Sequence, residues 1–353
     1  MWVTCLKESL VSDGARLAEY CGAETAASFS DPVLEYQALK SSCGVYDLGW
    51  RAKGVVMGAD RVRWLNGMVS NNIRDLARDR GVYAFLLNAQ GHIQADLYVY
   101  NRGEYLVVDT EAGEWPSLQA LFDRFIIMDD VEVTGVSEKL TALGVQGPSA
   151  EDVLGSIGIQ RPDLSPLGLA DLTWNDAGIT LVRAETWKGH AYEIWASPEN
   201  IRKLWRALGS AKAIPVGTEA LEWFRIAAGI PRFGVDIRER DLPQETGQDR
   251  ALHFAKGCYV GQEIVERIHA RGQVHRLLTK FQIDGAPPQR GTKLMAGGKE
   301  VGEITSAAIL PEAAGQVTVA LGYLRREAFG KELSLAGTST AVHQWHAPAL
   351  AGP

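Results

Sequence analysis

The sequence predicts an α+β protein that ends in a small all-β barrel. Three observations lead there. Short amphipathic helices alternate with apolar, strand-like runs over most of the chain. After about residue 275 the helical period disappears. The apolar runs that remain are short and punctuated by Gly and Pro, the pattern of a closed β architecture. At 353 residues, and ~150 residues per domain, the chain has room for two or three domains.

The elements follow in order. Asp60 is placed to cap a helix running to Val69, with Val62, Leu65 and Val69 on one face. Residues 82–87 and 95–100 read as strands, with Asn88-Ala89-Gln90-Gly91 turning the chain between them. Tyr105 to Asp109 reads as a further strand. Leu118, Leu121, Phe122 and Phe125 mark one amphipathic helix, and Ile201, Leu204, Trp205 and Leu208 another. Residues 131–134 and 140–145 are strand-like, the second ending at Gly147-Pro148. In the C-terminal part the expected strands are 277–283, 301–304, 317–324 and 333–335. The expected segmentation is therefore a region over 1–250, a connecting segment over 251–275, and a barrel over 276–350.

Composition narrows the function classes. The chain carries 43 acidic and 36 basic residues, a net charge of −7, with 46% hydrophobic and 22% charged residues, which is an ordinary globular balance. Net acidity argues against generic nucleic-acid binding, which needs excess Lys and Arg on one face. No uncharged apolar run reaches the ~18 residues of a membrane span. Residues 1–8 show no basic region followed by an apolar stretch, so no secretory signal is expected and the predicted location is cytoplasmic. The four cysteines, Cys5, Cys21, Cys43 and Cys258, form no Cys-x-x-Cys pair. Neither a structural zinc site nor a self-ligated iron–sulfur cluster nor a disulfide framework is expected from them.

Gly-x-Ser-x-Gly and Gly-x-Gly-x-x-Gly are absent. Gly285 to Lys293 has five residues between its glycines, Thr-Lys in place of Lys-Thr, and two prolines that stiffen the loop, so it is not a phosphate-binding loop. The most unusual segment is Lys256-Gly257-Cys258-Tyr259-Val260-Gly261-Gln262-Glu263. Its glycines permit close backbone approach, and an ammonium two residues from Cys258 would favour the thiolate. The competing reading is a tight turn whose cysteine is a small buried hydrophobe.

This segment resembles the K-G-C-Y-x-G-Q-E signature of the YgfZ family, folate-binding proteins similar to the T-protein (aminomethyltransferase) of the glycine cleavage system. Other segments resemble that family in the same order: residues 43–48, 86–91, 145–148, 228–236 and 301–306. The resemblance spans all but about the first 30 residues. It implies a three-lobed ring, two interleaved α+β lobes and a β-barrel, with a tetrahydrofolate or a derivative bound in its opening.

The resemblance also implies site residues. Asp96 stands at the second position of the transferase's D-D-L-[IV]-V-Y, where a carboxylate faces the folate; the first position is Ala95. Glu193 matches the glutamate that pairs with the pterin's amino-pyrimidine edge, an edge suited to a carboxylate accepting two parallel N–H bonds. Arg225 matches an arginine that holds a ring oxygen or the folate's glutamate tail; the bland reading is a salt bridge. Asp109 replaces the asparagine of L-V-V-N and is expected in the folate site. Cys258 is expected to do the chemistry, held by Lys256, Gly257, Tyr259, Gly261, Gln262 and Glu263. Departures are the loop at residues 187–191, Asp109 and Ala227, which speak against transfer from a lipoyl-bound aminomethyl group.

Arg267, His269, Arg271, His275, Arg276 and Lys280 form an acid-free basic segment that would suit a polyglutamyl tail, an acidic partner or RNA, or a solvated face. His253, His269 and His275 near Cys258 are too irregularly spaced to predict a metal site. The functional expectation is a folate-binding accessory protein for iron–sulfur cluster assembly or repair, working with cluster carrier or client proteins that include tRNA-modifying enzymes. A tetrahydrofolate-dependent aminomethyltransferase and a non-catalytic scaffold are the alternatives.

Overall fold

A computed structural model describes residues 2–185, 190–272, 274–312 and 315–345. The fold is mixed α+β with a closed six-stranded barrel at its C-terminal end, as the sequence predicts. Two compact units are built from interleaved chain segments. The first takes residues 1–66, 72–83 and 97–221, and the second takes 67–71, 84–96 and 222–353. No helix among the described residues is long and apolar enough to cross a membrane.

The first unit holds a six-stranded sheet ordered Leu169–Trp174, Ala177–Arg183, Ala191–Ala196, Thr141–Gln146, Gly44–Asp47 and Ile214–Pro215. One face packs on the helix Pro198–Ser210, whose Ile201, Leu204, Trp205 and Leu208 join Val45, Leu143, Val145, Tyr192 and Ile194 in the core. Ser197 caps that helix by accepting from Asn200 N, and Pro198 occupies its first turn. The predicted helix at 118–125 spans Trp115–Phe125. The helix beginning after Asp60 spans Arg61–Met68.

A second sheet is ordered Arg80–Leu87, Ile93–Asn101, Leu106–Glu111, Arg51–Met57 and Glu132–Gly135. Its first two strands carry the chain from one unit's segments to the other's. In this sheet Lys53 lies opposite Asp109, and Asp109 opposite Tyr98. In the six-stranded sheet Tyr46, Gly144 and Glu193 form a corresponding row. Gly144 makes that row possible, because a Cβ there would stand 2.0 Å from the Tyr46 ring.

In the second unit the barrel runs Arg276–Ile283, Gly315–Arg325, Lys299–Glu312, Lys293–Ala296, Leu333–Leu335 and Ala341–Trp345. Phe281, Ile304, Leu324, Leu294 and Val342 fill it. Two of these strands, Lys293–Ala296 and Ala341–Trp345, go beyond the four that the sequence predicts. A single 3-10 turn, Arg326–Ala328, interrupts the all-β pattern.

Gly144→Ala is expected to lower unfolding free energy by roughly 1–3 kcal/mol, the usual cost of forcing a methyl group into a filled site. Urea denaturation checks it; a change below about 0.5 kcal/mol would mean that the Tyr46 ring swings aside freely.

Candidate functional site

Charge and aromatic surface meet where first-unit residues of the six-stranded and five-stranded sheets come together. Lys53 and Asp109 are both buried, and their side chains form an ion pair. Arg51, two residues earlier on the same strand face, donates from Nε to Asp109 Oδ1 at 2.6 Å. Both carboxylate oxygens of Asp109 thus face protein cations. Burial alone would raise the Asp109 carboxyl, but Arg51 and Lys53 outweigh it and hold it below the usual carboxylate range.

Glu193 is in a different condition. It is only partly buried, and Trp195 Nε1 donates to its Oε2 at 2.7 Å. Among the described residues no hydrogen bond reaches its Oε1. Burial pushes its carboxyl up and Asp109 pushes the same way, against the pull of Lys53 and Arg51. Aromatic rings wall the space. The Trp195 ring lies 4.2 Å from Lys53 Nζ and 4.9 Å, edge-on, from Tyr100. Tyr98 lies 5.0 Å from Tyr83 and 6.4 Å, stacked, from Tyr100. A half-desolvated carboxylate with one open oxygen beside flat aromatic walls can receive a planar heterocycle that presents adjacent N–H donors. An amino-pyrimidine edge fits that description.

Strand alternation sets Asp96 on the same strand face as Tyr98 and Tyr100, and it is half-buried. Arg225 sits elsewhere, in the second unit. Its guanidinium bonds Asp236 at 2.6 Å, Glu222 at 2.7 Å and Ser306 Oγ at 2.9 Å. Asp236 in turn accepts from Thr305 at 2.5 Å and Ser306 at 2.7 Å. This network ties the end of the helix Thr218–Ala228 to the barrel strand Lys299–Glu312. It matches the salt-bridge reading of Arg225.

The signature segment is pinned within the second unit. Lys256 is buried and donates from Nζ to the carbonyls of Val69 at 2.5 Å and Asn71 at 2.7 Å. That corrects one expectation: the ammonium is directed at the backbone carbonyls of Val69 and Asn71. His253 N and Val260 N bond the carbonyls of Ser70 and Gly67, so the same short stretch is held at both ends of the segment. Gly261 has φ +83°, and a Cβ on it would come within 2.6 Å of Asn88 O. Gly257 is not among the left-handed glycines. Gln262 Oε1 accepts from Tyr259 N at 3.3 Å, and Glu263 lies exposed in the first turn of Gln262–Arg271, where the helix dipole favours it. Tyr259 is buried, its hydroxyl has no hydrogen-bond partner among the described residues, and burial pushes that phenol up to about 12. Cys258 is exposed, so the buried-hydrophobe reading does not hold for it.

Three side chains of the basic segment are committed to structure. Arg276 pairs with Asp241 at 2.7 Å and Glu245 at 3.0 Å, and Lys280 bonds Ala227 O. His269 stacks on Phe254 at 3.8 Å. No cluster of three metal-ligating side chains occurs among the described residues. Of the altered 187–191 loop, Trp187, Lys188 and Gly189 lie outside the described residues.

Comparison with known proteins gives the family. The family described as GCVT N-terminal domain matches residues 6–256. The chain belongs to the GCVT family. The CAF17 C-terminal beta-barrel domain matches residues 276–348. Among curated relatives, an aminomethyltransferase of Rubrobacter xylanophilus is 29% identical over 303 residues, 84% of this chain and 81% of that protein. One of Symbiobacterium thermophilum is 26% identical over 346 residues, 94% and 92% of the two chains. The crystal structure of glycine cleavage system aminomethyltransferase T from Bartonella henselae shares the fold, with TM-score 0.88 at 20% identity over 98% of this chain and 97% of that one.

Sequence reasoning missed Arg51, Lys53, Tyr98, Tyr100 and Trp195. A usable signal existed in Arg51-Ala52-Lys53-Gly54-Val55-Val56: two cations two residues apart on one face of an otherwise apolar strand.

Two stability predictions follow from the carboxylates. Asp109→Asn leaves Lys53 buried without its counter-charge and is expected to cost about 3–5 kcal/mol in denaturant unfolding. Glu193 has the opposite sign. Its carboxyl is raised in the fold, so its favourable contribution is complete at acid pH and is lost as pH climbs through that raised value. Glu193→Gln should therefore unfold at higher temperature than wild type at pH 7–8, with the gain vanishing near pH 4. Equal melting temperatures across that range would show that Glu193 carries no burial cost.

Proposed function

We propose that the protein is a YgfZ-type accessory factor that binds a reduced folate and supports iron–sulfur cluster assembly or repair. The observation that carries this reading is the exposed Cys258 on a backbone fixed by Lys256 and Gly261. An exposed thiol on a rigid turn is suited to transient iron ligation or disulfide exchange with a partner protein. The Glu193 pocket supplies the folate half of the reading. Its open oxygen would take the ring's N–H donors, while Trp195, Tyr100 and Tyr98 would cover the ring faces. Asp96, half-buried and in the second unit, is proposed as a folate contact on the resemblance alone. Asp109 is assigned a supporting part, balancing Lys53 and Arg51. Arg225 is assigned to structure. The partners in this reading are iron–sulfur carrier or client proteins in the cytoplasm.

A second reading is a tetrahydrofolate-dependent aminomethyltransferase, which the names of the curated relatives favour. Asp96 would then be the central group, and purified protein given aminomethyl-lipoyl carrier and tetrahydrofolate would release ammonia.

The deciding experiment is complementation of cells lacking the gene, with a cluster-dependent tRNA methylthiolation enzyme as readout. Wild type is expected to restore activity and Cys258→Ala, at matched protein level and unchanged melting temperature, is expected to fail. Full activity with Cys258→Ala, or no loss on deletion, would overturn the iron–sulfur reading.

A further inference from the structure

Lys53 is the most deeply buried cation of the first unit's pocket, and nothing in the reading above gives it a role toward a ligand. Its side chain is 0% exposed, which for a lysine requires a counter-charge. Asp109 supplies one. One lysine and one aspartate would already balance, yet Arg51 also faces Asp109, giving two cations to one committed carboxylate. The other carboxylate beside the set is Glu193, reached across the Trp195 ring: Lys53 Nζ lies 4.2 Å from the ring, whose N–H is 2.7 Å from Glu193 Oε2.

Every element packed around Glu193 contributes to its charge. The strand Arg51–Met57 brings Lys53 and Arg51, which favour the anion. The strand Leu106–Glu111 brings Asp109, which opposes it. Tyr100 from Ile93–Asn101 and Tyr46 from Gly44–Asp47 face it as neutral phenols, both pushed above their ordinary range by burial and by Glu193. Its own strand brings the Trp195 N–H. Lys53 is the group among these whose removal would tip the balance toward a protonated Glu193.

We propose that Lys53 is a specificity-determining residue, keeping Glu193 an acceptor so that the pocket takes rings presenting two adjacent N–H donors and rejects 2-oxo rings of the same shape. The inference rests on the folate reading of the pocket. A carboxylate can only accept, so a pterin's 2-amino and N3–H edge satisfies it, whereas a lumazine places a carbonyl oxygen against it. A protonated Glu193 would instead donate to that carbonyl, and the discrimination would collapse. Lys53 touches neither ring in this account; it acts through Glu193.

The first test needs no ligand. Carboxyl-13C NMR of glutamate-labelled protein follows the Glu193 titration, assigned by its loss in Glu193→Gln. Lys53→Gln keeps a hydrogen-bond donor for Asp109 and removes the charge; it should move the Glu193 midpoint up by about one pH unit, a tenfold change in the proton equilibrium. Lys53→Arg, which keeps the charge, should stay near wild type. An unmoved midpoint in Lys53→Gln overturns the proposal. The second test compares pterin and lumazine by competition at pH 7.5. Wild type should prefer pterin at least about tenfold, equivalent to ~1.4 kcal/mol, and the ratio should fall toward one in Lys53→Gln and, in wild type, as pH falls through the Glu193 midpoint. A ratio that is independent of pH in wild type overturns the proposal even where Lys53→Gln fails to fold. Binding of neither ring at any pH sinks the folate reading, while the NMR arm still decides whether Lys53 governs Glu193.

Discussion

Two carboxylates and two cations share a poorly hydrated space where first-unit residues of the two sheets come together, and the site depends on how those charges are balanced. A buried charge is tolerated only with a partner, and Asp109 has two, Arg51 and Lys53. Their positions come from strand register: Lys53, Asp109 and Tyr98 stand in one row across three strands. A slip of one residue in any of them would turn that strand's side chains to the opposite face. The facing sheet sets its own row, Tyr46, Gly144 and Glu193, and the missing side chain at Gly144 lets the Tyr46 ring lie across it. Backbone pairing therefore fixes the electrostatics, and the electrostatics leave one oxygen of Glu193 open.

The signature segment works by another principle. Lys256 commits its ammonium to the carbonyls of Val69 and Asn71, and Gly261 allows the chain to pass against Asn88. Both residues build a platform. What that platform presents is Cys258, whose neighbours are fixed while its own side chain stays exposed. An alignment of letters cannot separate presenter from presented; the hydrogen-bond partners do.

The legible parts of the sequence were those with local signals. The helices at 115–125 and 198–210 show their apolar faces at helical spacing, and the strands on either side of Asn88–Gly91 are bounded by turn residues. Glu193 was found through contiguous letters around it, and so was Cys258. Lys53 was not legible, since its partner Asp109 lies 56 positions away and no local rule pairs them. For Arg225 the sequence left the ligand and salt-bridge readings side by side for the same reason, its partner Ser306 lying 81 positions on. The strands Lys293–Ala296 and Ala341–Trp345 are four and five residues long, with polar members, and their pairing is set by closure of the barrel. Interleaving of the units left no compositional trace, because four of its five crossings fall inside unbroken elements: two in strands and two in helices.

The polar groups of this protein divide by whether their valences are filled. Arg225, Asp236, Asp109 and Lys256 have their hydrogen bonds provided from within the chain, and such groups hold elements together. Glu193 Oε1 has none among the described residues, and its carboxyl bears a burial cost that the fold does not recover. Natural chains keep such a deficit where something outside the fold fills it, since a mutation to a neutral residue of the same shape is a single step away and would relieve it. The deficit at Glu193 is one planar donor edge wide. In the proposed folate reading the neighbouring aromatic rings would shield a ring that supplies the edge, and in that setting its hydrogen bonds would gain strength over those made in solvent. The same cost that makes Glu193 a poor contributor to stability thus makes it the strongest candidate contact for a ligand.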